Sequence, residues 1–156
     1  MRYSNFPRGS EWRKWDLHIH TPFSILNNGF GNDWDTYVQK LFKKAIEHDI
    51  WAIGITDYFS IDGYKKIRTE YLENSVKMEQ LFSGEEIERI NKILLLPNIE
   101  FRLDKLVNDN RVNFHVIFSD KVSISDIEEN FLHDIDFVYE GNPQGSDEKR
   151  KLKINN

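Results

Sequence analysis

Two short apolar segments on either side of an amphipathic helix constrain the fold of this chain more than any other feature. Residues 15–20 (WDLHIH) and 51–56 (WAIGIT) are short, apolar and β-prone, as buried parallel strands tend to be. Between them, residues 35–48 place apolar side chains at helical spacing. This order predicts a parallel pair of strands joined by a right-handed crossover helix.

The same alternation continues along the chain. Two capping boxes, each a serine followed three residues later by a glutamate, predict helix starts at Ser83 with Glu86 and at Ser125 with Glu128. The first of these helices is expected to run on towards Pro97. Further strands are expected over residues 99–103, 112–118 and 137–139. Strands that alternate with helices predict an α/β fold with a mainly parallel sheet.

Length and composition indicate one domain with a polar end. The chain has 156 residues, of which 39% are hydrophobic, and this is enough for a single core. The expected elements lie within residues 1–140, whereas residues 141–156 are polar and lysine-rich, as in a solvated tail or a helix that is cut short. The N-terminal segment has no apolar run of the kind that signals and membrane anchors carry, so we expect a cytoplasmic protein without a membrane partner.

Net charge and the lack of cysteine exclude several classes of function. A net charge of −5 argues against a protein that holds nucleic acid by a diffuse basic surface, although it leaves room for a local basic groove. Without cysteine there is neither a disulfide nor a thiolate zinc site. Any metal must therefore be bound by histidine, aspartate or glutamate.

The first predicted strand carries a candidate metal site. Residues i, i+2 and i+4 of a strand point to one face, so Asp16, His18 and His20 are expected to project together while Leu17 and Ile19 face the opposite layer. Two imidazoles at this spacing can bind one metal ion, and an aspartate beside them can orient an imidazole through its second nitrogen.

Polar residues on the following strands are candidates for the same site, because ligands collect at the carboxyl ends of parallel strands. Asp57 follows the second apolar segment, and it could also be only a turn or a helix cap. Glu100 and His115 lie on two later predicted strands. Histidines and a glutamate from three strands form a plausible N,O site for Zn²⁺, Mn²⁺ or Fe²⁺.

Two of these segments resemble motifs of a known superfamily. The sequence DLHIHT resembles the first motif of the PHP (polymerase and histidinol phosphatase) superfamily, and GITDY resembles its second motif, which usually ends in Asp-His. Glu100 and His115 fall where its bridging glutamate and next histidine are expected. The longer stretches WRKWDLHIHTP, GITDYFSIDGY and FVYEGNPQGSDEKRK are similar to the N-terminal PHP region of large bacterial proteins that continue into an ATPase.

The resemblance implies a distorted (β/α)₇ TIM-like barrel that hydrolyses phosphate esters with two or three metal ions. His18 and His20 would bind the first metal, Glu100 would bridge two metals, and His115 would bind the second. The catalytic roles of Asp16 and Asp57 would be to hold ligands or polarise water. In such a site one ion lowers the pKa of bound water and both stabilise charge on the phosphoryl oxygens. The expected substrate is a phosphate ester, with nucleic acid or a nucleotide as candidates.

This sequence departs from the superfamily pattern in two ways. Tyr58 stands where the second motif usually has histidine, and residues 22–28 lack the extra histidine of many relatives, so we expect at most two metal ions. The late Asp-x-His ligands are also missing, and His133 is only a weak substitute. We therefore expect a partial barrel: either the chain is a truncated gene product, or a neighbouring chain or a second copy completes the barrel. The alternative is an inactive remnant, or a subunit of a larger defence or repair assembly that contains an ATPase.

Overall fold

A four-stranded sheet with helices packed on it makes up most of this computed structural model, which describes residues 12–25, 29–137 and 150–151. The strands of the sheet, in spatial order, are β1 (Lys14–Ile19), β2 (Ile50–Tyr58), β3 (Leu94–Val107) and β4 (Asn110–Ile117). The α-helices are α1 (Trp34–Glu47), α2 (Asp62–Lys66), α3 (Ser75–Leu81) and α4 (Gly84–Ile90). Two π-helical segments span Ile67–Leu72 and Asp126–Leu132, and a separate antiparallel pair joins β5 (Asp136–Phe137) to β6 (Arg150–Lys151).

The predicted strand–helix–strand unit is confirmed. β1 pairs with β2 and β2 with β3, both in parallel, and the sheet curls into a half-barrel. The crossover helix α1 begins after Asp33, whose side chain accepts a hydrogen bond from the Thr36 N–H at 3.0 Å. Its Phe42 is buried in one hydrophobic core with Ile53 and Ile55 of β2. The chain is therefore mixed α/β with a mostly parallel sheet.

The prediction of a helix that runs towards Pro97 is wrong. The Ser83–Glu86 capping box does open α4, but the helix ends at Ile90 and β3 already begins at Leu94. Parallel pairing with β2 draws the segment before Pro97 into the sheet, and local sequence carries no signal of such a non-local partner. Pro97 is tolerated because it lies opposite Phe118, just past the end of β4, where its missing N–H removes only a terminal hydrogen bond.

The strand predicted over residues 112–118 is present as β4, but it runs antiparallel to β3. The two strands are joined by Asn108 and Asp109, with φ of 51° and 61°. Two consecutive left-handed residues form the tight turn whose twist suits a hairpin, and asparagine and aspartate adopt this conformation more readily than most residues. The parallel pattern therefore ends at β3.

The C-terminal predictions are only partly met. Ser125 makes no capping hydrogen bond; Ser123 caps the turn instead, since its Oγ accepts from the Asp126 N–H at 3.0 Å. Of the strand predicted over 137–139, Phe137 belongs to β5 and the rest lies outside the described residues. The predicted polar end, 141–156, also lies outside them apart from Arg150–Lys151. None of the described helices combines the length and apolar character that a membrane crossing requires.

Candidate metal centre

An irregularity in β1 affects the position of His18, and of His20 directly after the strand. Asp16 pairs with Ile53 and Ile19 with Ile55, so three steps along β1 match two along β2 and the edge strand bulges. A Cβ on Gly54 would overlap the main chain of Leu17, so glycine is needed for this close approach. The strand that carries Asp16 and His18 is therefore irregular, and the shared face of Asp16, His18 and His20 stays a prediction.

The bulge brings His18 and His20 onto a buried glutamate. His18 Nε2 lies 3.1 Å from His20 Nε2 and 3.1 Å from Glu100 Oε2, and His20 Nε2 lies 3.4 Å from the same oxygen. The Glu100 side chain is fully buried, whereas 52% of the His18 side chain is exposed. Glu100 pairs with Tyr58, the last residue of β2, so it stands at the carboxyl end of the parallel part of the sheet.

His115 of β4 completes what we name the His/Glu cluster: His18, His20, Glu100 and His115. His115 lies directly across the β3–β4 ladder from Glu100, so both side chains leave the sheet on one face. Ligand atoms of His18, Glu100 and His115 all lie within 4.8 Å of one another. The four residues predicted as metal ligands from the sequence are thus brought together in space.

Two-centre hydrogen bonds alone cannot satisfy all three short contacts among His18, His20 and Glu100. Each contact needs one proton, an imidazole Nε2 carries at most one, and an ionised carboxylate carries none. Two protons cannot serve three contacts, because an Nε2–H that donates to Glu100 leaves the pair of ring nitrogens unmatched. A cation that accepts three lone pairs removes this conflict, and ligand atoms around a metal bound at about 2.1 Å are separated by about 3.4 Å. The measured separations of 3.1 to 3.4 Å fit such a site.

Neighbouring groups hold His20 in place. Its Nδ1 lies 3.1 Å from Ser24 Oγ, its ring stacks on Tyr58 with centroids 4.9 Å apart, and its carbonyl accepts a hydrogen bond from Tyr37 Oη at 2.8 Å. Burial lowers the pKa of His20, against an opposing effect of the Glu100 charge. A lowered pKa favours the neutral imidazole, which is the form that binds metal.

Asp57, predicted as a catalytic residue, lies apart from the His/Glu cluster. Its carboxylate accepts hydrogen bonds from the Thr21 N–H at 3.1 Å, from the Thr21 hydroxyl at 2.8 Å and from the Gly63 N–H at 3.2 Å. Burial raises the pKa of Asp57 to about 6, although these hydrogen bonds act in the opposite direction. Asp57 therefore anchors Thr21, the residue that follows His20. It also accepts a hydrogen bond from the first turn of α2, in agreement with the alternative that Asp57 is a helix cap.

Asp16, the other predicted catalytic residue, is exposed. Its carboxylate accepts a hydrogen bond from the His18 N–H at 3.3 Å, so it touches the main chain of a cluster histidine instead of an imidazole. This hydrogen bond is compatible with the predicted role of Asp16 in holding His18, a predicted metal ligand.

Residues that the sequence interpretation missed surround the cluster. Asn98 and Asn113 contact His115 and Glu100, and Ser24 contacts His20. Strand alternation could have indicated Asn98 and Asn113, since they lie two residues from Glu100 and His115. His133 lies elsewhere: it is exposed, and its Nδ1 is 3.0 Å from Asp134.

No protein-family model matches this chain, and neither a curated protein nor a solved structure matches it. The resemblance to PHP domains rests on the sequence motifs, and the case for a function rests on the geometry of the His/Glu cluster.

Proposed function

We propose that this chain is a metal-dependent phosphoesterase of the PHP type, which binds one or two divalent cations, Mn²⁺, Zn²⁺ or Fe²⁺, at the His/Glu cluster. One observation carries the proposal: two Nε2 atoms and a fully buried carboxylate oxygen converge at 3.1 to 3.4 Å with a third imidazole beside them. Nitrogen and oxygen ligands of this kind suit these cations. A bound cation would supply an activated water and neutralise charge on the phosphoryl oxygens.

The exposure of the cluster supports catalysis over a purely structural site. Structural metal sites are closed by protein ligands, whereas catalytic sites keep one position open to water or substrate. Glu100 forms a buried floor, and the half-exposed side chain of His18 leaves one side of the cluster open to solvent. A substrate could therefore approach from the side of β1.

The charge of the ligand set supports an anionic substrate. Glu100 is the one carboxylate among the four cluster residues, and imidazoles bind metals in their neutral form. A divalent cation held by one carboxylate retains net positive charge, which attracts a phosphate ester. A phosphorylated small molecule, a nucleotide and a nucleic-acid end all satisfy this requirement.

The two aspartates act as positioning residues in this proposal. Asp57 fixes Thr21 directly after His20, and Asp16 holds the His18 N–H. Both therefore hold the β1 segment that carries two of the ligands. The proposal also includes the PHP-type barrel itself, of which the half-barrel sheet would be part. Its partner would be a second chain that completes the barrel, or an ATPase.

Metal binding and turnover test the proposal together. Purified wild-type chain should bind Zn²⁺ or Mn²⁺ by calorimetry and hydrolyse p-nitrophenyl phosphate in the presence of Mn²⁺, and His18→Ala should abolish turnover. His133→Ala is the matched control, since His133 is an exposed histidine outside the cluster and should change neither property. A wild-type chain that binds no divalent cation would overturn the proposal, and metal binding without turnover would favour the inactive alternative.

A further inference from the structure

Asn98 connects three strands beneath the His/Glu cluster. It is 1% exposed and lies on β3 two residues before Glu100. Its Nδ2 donates hydrogen bonds to the Leu17 carbonyl at 2.7 Å and to Thr56 Oγ1 at 2.8 Å, and its Oδ1 lies 3.3 Å from His115 Nδ1. One side chain thus contacts the β1 bulge, the neighbouring strand β2 and a cluster histidine.

The orientation of this amide is fixed by its partners. The Leu17 carbonyl can only accept a hydrogen bond, so the end of Asn98 that faces it must be the NH₂ group. The other end must then be Oδ1, which can only accept. A hydrogen bond between Oδ1 and His115 therefore requires a proton on Nδ1, and in the neutral ring this leaves Nε2 with a free lone pair.

We propose that Asn98 is a positioning residue for metal binding: it selects the His115 tautomer whose Nε2 is free to bind a cation, and it fixes the bulge that carries His18. The inference rests on the proposed metal site and adds a residue that orients its ligands. Partners of this kind on the second nitrogen of a metal-binding histidine typically change metal affinity by about 10- to 100-fold. Asn98 hydrogen-bonds the Leu17 main chain of the bulge, and its amide oxygen faces a cluster imidazole.

Two variants separate the two roles. Asn98→Leu removes both the acceptor for His115 and the donor for Leu17. Asn98→Asp keeps an acceptor for the Nδ1–H, but it places a carboxylate oxygen against the Leu17 carbonyl. Thr56→Val is the matched control, because the Thr56 hydroxyl is a buried partner of Leu17 and Asn98 and its side chain donates to no imidazole among the described contacts.

The first measurement needs no metal. Long-range ¹H–¹⁵N NMR of the metal-free protein at neutral pH should show His115 protonated at Nδ1 in wild type, in Asn98→Asp and in Thr56→Val. In Asn98→Leu the preference for that tautomer should be lost. An Nε2–H tautomer of His115 in the wild type would overturn the inference by itself, whether or not any variant folds.

The second measurement is Zn²⁺ affinity by calorimetry. It should fall by about 10- to 100-fold in Asn98→Leu and by a smaller factor in Asn98→Asp and Thr56→Val. Unchanged affinity in a folded Asn98→Leu would overturn the inference while leaving the proposed function intact. A wild-type chain that binds no Zn²⁺ would instead overturn the proposed function, and the tautomer measurement alone would then decide the orienting role of Asn98.

Discussion

Two buried carboxylates on neighbouring strands of this sheet have opposite surroundings. Asp57 pairs with Ile99 and Tyr58 pairs with Glu100, so the two acidic side chains leave the sheet on opposite faces. Both are almost fully buried, with 1% and 0% exposed. Asp57 is surrounded by main-chain N–H groups and a hydroxyl, whereas Glu100 is surrounded by ring nitrogens and a side-chain amide.

The difference separates a structural carboxylate from a candidate ligand. The chain itself supplies Asp57 with donors to both of its oxygens, so its hydrogen bonding needs nothing from outside. The neighbours of Glu100 offer lone pairs as readily as protons, and their contacts exceed the protons available. A buried carboxylate is therefore a candidate metal ligand when its neighbours are imidazoles, which can also bind a metal.

The largest expected effect comes from neutralising Glu100. Glu100→Gln keeps the shape but removes the charge, so Zn²⁺ affinity should fall by at least about 100-fold, since losing a direct ligand costs at least as much as losing an orienting partner. The metal-free protein should keep its stability within about 1 kcal/mol, because Asn113 can still donate to the remaining side-chain oxygen. Calorimetry and urea unfolding measure both. If Glu100→Gln bound Zn²⁺ as wild type does, the two carboxylates would not differ as described.

Truncating Asp57 should have the reverse pattern. Asp57→Ala leaves the buried N–H groups of Thr21 and Gly63 without their acceptor, which should lower the free energy of unfolding by about 3 kcal/mol. Urea unfolding of the metal-free chain measures this loss. Zn²⁺ affinity should fall less than in Glu100→Gln, since the described hydrogen bonds of Asp57 go to Thr21 and Gly63 and not to a cluster imidazole. A larger loss of affinity than of stability would contradict the structural role.

The pH dependence of stability provides a third test of the Asp57 environment. Burial raises the pKa of Asp57 from 3.8 to about 6, so its protonated form is favoured in the folded chain. Its stabilising contribution is therefore fully present below about pH 4 and is lost as pH rises through 6, up to about 3 kcal/mol in total. Asp57→Asn should lack this decline. The measurement is the free energy of urea unfolding of wild type minus that of Asp57→Asn, followed from pH 4 to 7. If this difference increased with pH, the predicted direction of the effect would be wrong.

The sequence predicted those parts of the fold that are encoded locally. Helix α1 and the start of α4 follow from periodicity and capping, which depend on residues a few positions apart. The early start of β3 depends on pairing with β2, and the antiparallel β4 depends on two left-handed turn residues. The bulge in β1 depends on Gly54 of the adjacent strand. Such non-local causes leave little trace in a short window of sequence.

The four residues of the candidate site could be predicted from the sequence. The neighbouring residue that positions them, Asn98, was harder to predict. The motif resemblance picked out His18, His20, Glu100 and His115, and the fold brings them together. Asn98 escaped notice because its only sequence signal is its position two residues before Glu100, and the partners that it joins lie far away in sequence. Its importance appears only when three strands meet at one side chain. The metal and the reaction stay predictions.

A smaller effect should follow from filling the space at Gly54. In Gly54→Ala the new methyl group would overlap the Leu17 main chain, so β1 must shift and His18 with it. Zn²⁺ affinity should fall by about tenfold, comparable to the loss of an orienting partner. Gly84→Ala is the matched control, since a Cβ there meets nothing within 4 Å and alanine suits a helix better than glycine. Equal affinities in the two variants would show that the bulge does not set the His18 position.

The smallest effect is expected at Asp16, the one predicted site residue whose carboxylate is exposed. Asp16→Asn retains an oxygen that can accept from the His18 N–H, and the bond it replaces is long at 3.3 Å and open to water. Zn²⁺ affinity should therefore change by less than about threefold. The free energy of unfolding should change by less than about 0.5 kcal/mol. Calorimetry and urea unfolding measure both quantities, and Asp57→Asn should be measured in parallel. The two variants can be compared directly, since each removes one aspartate charge. A loss of turnover in Asp16→Asn with Zn²⁺ affinity preserved would assign Asp16 a role in the reaction, which its position in the metal-free chain does not predict.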